Sequence, residues 1–209
     1  MNTYFEKYCF SISTALAAME ITTLNSEHLN PDAGFSAFCK LSEEVSKTER
    51  KQYLVGNGAS AAFANHMALD WTKNGGIPTH TFSDPALLTA MGNDLGYEKV
   101  FSAPLRWYAK KGDLLVTISS SGNSKNILNT IEMARSKEMK VVTISGLNPD
   151  NESRRRGDLN FYVPAKTYGI VECAHQIILH VWLDKYMGIS EWNQLSYQNM
   201  NGQKTESPD

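Results

Sequence analysis

Cysteine is scarce in this chain. Cys9, Cys39 and Cys173 are the only three in 209 residues, an odd number without a C-x-x-C pair. A disulfide framework and a cysteine-ligated zinc site are therefore excluded as organising elements. Long apolar runs are also missing. Hydrophobic residues make up 42% of the chain, yet no run approaches the ~18 residues of a membrane span. Excess positive charge is absent as well: 20 Lys and Arg face 22 Asp and Glu, for a net charge of -2. Nucleic-acid binding normally needs a basic footprint, so none is expected here. The densest basic run, Arg154-Arg155-Arg156, is diluted by Asp150, Glu152 and Asp158 and reads as a solvated loop. The N-terminal "MNTYFEKYCFSISTALAAME" carries Glu6 and Glu20 and has no basic start before an apolar core. It reads as an amphipathic helix rather than a signal peptide, which makes the cytoplasm the expected location.

What remains is the composition of one soluble domain with a full core. Residues 2–24 and 34–47 read as helices joined by a turn-rich "NPDAG". From there short apolar strands alternate with helices. The strands are "QYLV", "IPTHTF", "DLLVTIS", "KVVTISG" and "LNFYVP". The helices include "AAFANHMALDWTK", "SDPALLTAMGNDLG" with Pro85 at its first position, a segment bent at Pro104, residues 124–139, and the long "GIVECAHQIILHVWLDKYMG". Strands that are apolar throughout and alternate with helices predict a parallel sheet covered on both faces. Residues 1–50 are then N-terminal helices packing on the domain and an oligomer interface. Residues 51–188 form the α/β domain, and 189–209 a polar tail.

Ligands of such sheets sit at the carboxyl ends of strands, near a topological switch point. Two strand ends carry unusual loops, "GNGAS" and "SSSGNS". The second sets Ser119, Ser120, Ser121 and Ser124 where a strand meets a helix. One N-cap needs one side chain, so four serines in six residues exceed what capping requires. Exposed backbone N–H groups, small hydroxyls and the positive end of a helix together suit a phosphate. A P-loop is excluded, because no G-x-x-x-x-G-K-[ST] occurs. "GNGASA" starts like a dinucleotide fingerprint, but "THTFSD" stands where the ribose-binding acid belongs, so no nucleotide cofactor is expected.

"GNGASAAFANHMALDW", "FSDPALLTAMGNDLGYEKVF" and "ISSSGNS" together resemble the SIS (sugar isomerase) domain, and within it the phosphoheptose isomerases. These interconvert sedoheptulose 7-phosphate and a D-glycero-D-manno-heptose 7-phosphate in the biosynthesis of surface sugars such as lipopolysaccharide or capsule. The resemblance spans about residues 51–188. It implies a flavodoxin-like three-layer αβα sandwich with a five-stranded parallel sheet, and a homotetramer with active sites between subunits. It implies phosphate binding by Ser119, Ser120, Ser121, Ser124 and Ser60, and sugar contacts from Asn57 and Asp94. It also implies His180 as catalytic acid or base and His66 as a zinc ligand. The chain departs from the pattern at three places. The family's His-x-x-x-Glu is His66 and Asp70 here. Its Gln in the last helix is Glu172. Its Asp slightly earlier is replaced by Gly169 or Ile170.

His66 and Asp70 are four apart and share one helix face. Glu172 and His180 are eight apart, hence ~80° apart around their helix, while His175 lies ~140° from His180. If the two helices meet, His66, Asp70, Glu172 and His180 form two imidazoles and two carboxylates, a set that suits zinc or another divalent metal. Aldose–ketose isomerisation needs a base, a partner acid and stabilisation of an enediolate oxygen. Asp70 or Glu172 supplies the base, with Asp70 preferred for its family position, and His180 the acid. The competing expectation is a non-catalytic phosphosugar-binding or regulatory protein, like the replication-initiator-associating relatives of the same domain.

Overall fold

The computed structural model describes residues 3–192; the reading of a polar tail from Asn193 onward lies outside them. The first helix, α1 (Tyr4–Ala17), starts at a capping box in which Thr3 and Glu6 satisfy each other's backbone N–H groups. It stops seven residues short of the expected end at 24. Ile21, Thr22 and Thr23 are β-branched and form β1 (Glu20–Thr23), which hairpins onto β2 (His28–Leu29). The helix α2 then begins three residues earlier than expected, at Pro31 behind the Asn30 cap, and runs to Lys47.

Five parallel strands follow: β3 (Gln52–Gly56), β4 (Thr79–His80), β5 (Leu114–Ser119), β6 (Lys140–Gly146) and β7 (Leu159–Val163). Among them run α3 (Ala59–Lys73), α4 (Pro85–Leu95), α5 (Ser102–Tyr108) and α6 (Lys125–Ser136), and α7 (Tyr168–Met187) closes the fold. The sheet order is β2-β1-β7-β6-β5-β3-β4. The expected five parallel strands are all present, but the sheet has seven. β1 pairs antiparallel with β7, Ile21 opposite Phe161, and covers an edge whose N–H and C=O groups would otherwise be unpaired. Counted alone in chain order, the parallel strands run 2-1-3-4-5, the flavodoxin-like order. Its switch point lies between β3 and β5.

Alternate strand residues feed two cores. Leu54, Val116, Val142 and Phe161 face α1, α2, α3 and α7, whereas Tyr53, Val55, Leu115 and Val141 face α4, α5 and α6. In the first core, Trp182 of α7 stacks on Phe38 of α2 at 3.9 Å and lies 4.2 Å from Trp71 of α3. Its indole N–H donates to the Ser42 hydroxyl at 3.1 Å. These rings fix α3 against α7. Their neighbours in sequence, Asp70 and His180, are thereby brought together.

The Arg154–Arg156 run is not the free solvated loop expected of it. Arg154 pairs with Glu20 and lies over the Tyr162 ring at 4.1 Å, Arg155 pairs with Asp150, and Arg156 with Glu132 and Glu152. The run ties the β1 edge and α6 to the turn before β7.

Candidate functional site

β5 ends at Ser119 with its side chain buried, and the chain turns through Gly122 into α6. Gly122 adopts φ +65°, and a Cβ there would run into the Asn151 side chain, so only glycine fits. Backbone bonds hold the turn from several sides. Gly122 N donates to Ser119 O at 3.0 Å, Ser153 N to Gly122 O at 3.0 Å, and Gly146 N to Ser120 O at 3.1 Å. Asn123 Oδ1 accepts from Glu152 N at 2.8 Å.

The hydroxyls are less committed. Ser119 Oγ accepts from Gly122 N at 3.2 Å and Ser121 Oγ from Asn123 N at 3.3 Å. Ser124 is the N-cap of α6, yet its side chain makes no capping bond. Ser120 Oγ is buried without a partner. A buried hydroxyl left unpaired costs ~1–3 kcal/mol, which a bound anion would offset. The second loop faces the first across the switch point. Gly58 takes φ +56° and ψ -125°, a conformation open to glycine alone, and starts α3 so that Ser60 is buried in its first turn. Ser60, Ser119, Ser120, Ser121 and Ser124 line one cavity of about 180 Å³, together with Asn57, Tyr168 and Glu172. All five serines expected to hold phosphate thus converge, at the N-terminus of α6.

Asn57 is fixed by a reciprocal amide pair with Asn126, at 2.9 and 3.0 Å, and accepts from the Tyr97 hydroxyl at 3.1 Å. Asp94 does not line that cavity. It sits exposed on α4, accepting from the Asn93 amide at 2.9 Å.

The second constellation lies between α3 and α7. His66 Nε2 is 3.2 Å from Asp70 Oδ2, the His66 and His180 ring centroids are 5.5 Å apart, and ligand atoms of all three residues lie within 4.8 Å of one another. Glu172 is not part of this group. It lies two helical turns before His180, on the wall of the serine cavity, and also borders the groove that His180 lines. His175 faces away from His180, as its angle predicts. Its ring is buried and Nε2 donates to Ser145 O at 3.1 Å, and burial lowers its pKa to about 4. One turn beyond His180, burial raises the Asp184 carboxyl above its usual range; His180 draws it down and Asp70 adds to the rise.

Gln176 was not singled out from the sequence. Its amide Nε2 lies 2.8 Å from His180 Nε2. The available signal was its spacing, four residues before His180 and so on the same face. Tyr8 of α1 was missed too. Its hydroxyl would stand 2.6 Å from a Cβ on Gly169, which explains why this position carries no side chain.

The model of the SIS domain matches residues 25–146. A phosphoheptose isomerase of Campylobacter concisus is 35% identical over 163 residues, 74% of this chain and 85% of its own length. One from Sulfurimonas denitrificans is 36% identical over 155 residues, 68% of this chain and 79% of its own. The solved structure of the phosphoheptose isomerase of Neisseria gonorrhoeae superposes with a TM-score of 0.75 at 25% identity, over 88% of this chain and 95% of that one. The chain belongs to the SIS domain family, within its phosphoheptose isomerases.

Proposed function

We propose that the protein is an aldose–ketose isomerase that converts sedoheptulose 7-phosphate to D-glycero-D-manno-heptose 7-phosphate through an enediol. The observation that carries this reading is the shared placement of two sites along α7. The serine cavity lies at its N-terminal end and the His66–Asp70–His180 group two turns further on. Glu172 and His180 are ~12 Å apart along the helix axis, a distance comparable to the length of a seven-carbon phosphosugar. With the phosphate on Ser119, Ser120, Ser121, Ser124 and Ser60, the C1–C2 end reaches the histidines. The anchor fixes the reacting carbons, which converts binding energy into orientation.

Asp70 removes the proton from C1 or C2 and returns it to the neighbouring carbon. His180 moves the proton between the two oxygens. Glu172, between anchor and reacting carbons, faces the sugar hydroxyls and is the alternative base. The donor set of His66, Asp70 and His180 fits a divalent metal such as zinc, with nitrogen and oxygen ligands from two facing helices. When bound, such an ion polarises the carbonyl oxygen and stabilises the enediolate. No helix among the described residues is long and apolar enough to cross a membrane; the same reading places the reaction in the cytoplasm.

The reading extends to a homotetramer. Phe5 and Phe10 on α1, Leu69 on α3 and Ile177 and Val181 on α7 are large apolar residues left exposed on one chain, the last two on the groove that His180 lines. Light scattering of the purified protein checks the assembly. Proton exchange at C1 and C2 of C5–C7 ketose and aldose phosphates checks the reaction. No exchange with any of them in metal-loaded protein would favour a phosphosugar-binding role instead.

A further inference from the structure

The serine cavity and the groove that His180 lines have one residue in common, Glu172. The groove measures about 570 Å³ and follows α7 from Gly169 to Asp184. To its wall α1 contributes Tyr8. This side chain packs against the first core, as Ile12 and Leu16 do one and two turns on, and the Tyr4 ring lies 6.3 Å away. The phenol is therefore held by its ring, with its hydroxyl beside the first turn of α7.

Gly169 fixes where that hydroxyl stands. A Cβ on this residue would lie 2.6 Å from Tyr8 Oη but 3.8 Å from Cζ. The second distance is ordinary contact, so only the oxygen conflicts with a side chain at 169. No left-handed backbone calls for glycine there, and glycine is a poor helix former. What the missing side chain provides is room for a phenolic oxygen on the groove. Gly169 and His180 are eleven apart, hence on one face of α7, ~20° apart in angle and ~16 Å apart along the axis. Gly169 and Glu172 are three apart and adjacent on the helix surface. The Tyr8 hydroxyl thus lies next to Glu172, at the end of the groove where the serine cavity begins.

The chemistry of the pair is complementary. Burial, the Cys173 thiol, Tyr4 and the Glu172 carboxylate all hold the Tyr8 hydroxyl above its usual pKa, so it is a neutral donor at neutral pH. The thiol is a weak hydrogen-bond partner and leaves the hydroxyl open to a better one. Glu172, ionised, only accepts. A donor beside an acceptor suits two neighbouring hydroxyls of a sugar.

We infer that Tyr8 is a substrate-binding residue whose hydroxyl, together with Glu172, holds the sugar hydroxyls nearest the phosphate, those on C5 and C6 of a heptose 7-phosphate. The inference rests on the isomerase reading above and deepens it. The serines hold the phosphate, Tyr8 and Glu172 the adjoining carbons, and the C1–C2 end continues along α7 to His180. The helix α1 is then part of the substrate site.

The test is the calorimetric Kd of the purified full-length protein for sedoheptulose 7-phosphate and for its 3-deoxy, 5-deoxy and 6-deoxy analogues. Tyr8→Phe removes only the oxygen and is expected to weaken binding ~5–10-fold, the size of one neutral hydrogen bond. Gly169→Ala displaces the hydroxyl and should cost about as much. Once the oxygen is gone the added methyl group has room, so the double variant should bind no more weakly than Tyr8→Phe alone. That non-additivity separates a displaced oxygen from a damaged helix. The loss in Tyr8→Phe should disappear with the 5-deoxy or the 6-deoxy analogue and persist with the 3-deoxy analogue. Unchanged affinity in Tyr8→Phe, or an equal loss with every analogue, would overturn the inference. Failure of the parent protein to bind sedoheptulose 7-phosphate would overturn the isomerase reading and this inference with it, a result distinguishable because it needs no variant.

Discussion

Between Ser119 and Ser124 the shape of the site is set by backbone hydrogen bonds, whereas at His66, Asp70 and His180 it is set by side chains projecting from two separate helices. The loop is anchored by Gly146, Asn151, Glu152 and Ser153, and its one obligatory glycine has no room for a side chain. The Ser120 and Ser124 hydroxyls take no part in that frame. The cluster depends on how α3 sits against α7, which is the work of Trp71, Trp182 and Phe38. One region is a cradle that local sequence builds, and the other is chemistry that long-range packing assembles. The departures from the family pattern that the resemblance implies, at Asp70, Gly169 and Glu172, lie on α3 and α7 and not in the serine loop.

The largest effect is expected at the cluster. His180→Ala should lower turnover by ~10²–10⁴-fold with the far-UV spectrum and thermal midpoint close to those of the parent, since acid–base groups supply acceleration of that size. Activity retained in that variant would move the proton-transfer role elsewhere. At the loop, Ser121→Ala combined with Ser124→Ala removes two hydrogen bonds to a charged ligand, worth about 3 kcal/mol together. Phosphosugar affinity should fall ~100-fold, read as a rise in KM or in calorimetric Kd. An unchanged affinity would contradict the cradle.

His175 joins the two regions, because it ties α7 to Ser145, which lies beside Ser119 in the sheet. Its folded pKa is lowered to about 4 by burial, whereas an unfolded histidine titrates near ~6.5. The neutral ring therefore contributes stability above pH ~6.5 that is lost as pH falls toward about 4, by at most about 3 kcal/mol. Urea midpoints should fall over that interval in the parent, and His175→Gln should flatten the slope. The smallest effect, ~2 kcal/mol of stability, is expected for Gly122→Ala, which forces a Cβ into the left-handed region and against Asn151. Its activity loss should track weakened phosphate affinity rather than a changed kcat.

The same contrast explains what was legible in the sequence. The parallel strands are short apolar runs ending in glycine- and serine-rich loops, so both their existence and the ligand-bearing edge could be read locally. The β1–β2 hairpin could not. Ile21 to Thr23 continue directly from a helical pattern, and only the open edge of β7, some 140 residues away, turns them into a strand. The wheel angle between Glu172 and His180 was sound, but an angle carries no height. Two turns of rise place Glu172 on the wall of the serine cavity, outside the group of His66, Asp70 and His180. Asp94 followed from the resemblance alone, and on α4 it lies apart from the cavity.

The most direct test of the account is to incubate the zinc-loaded protein with sedoheptulose 7-phosphate in deuterated water and follow C1 and C2 by NMR. The account predicts deuterium entering at these carbons with formation of the aldose 7-phosphate, both abolished in His180→Ala. Tight binding of the phosphosugar without any exchange would contradict it, leaving the serine loop as the anchor of a protein that binds its sugar and does not turn it over.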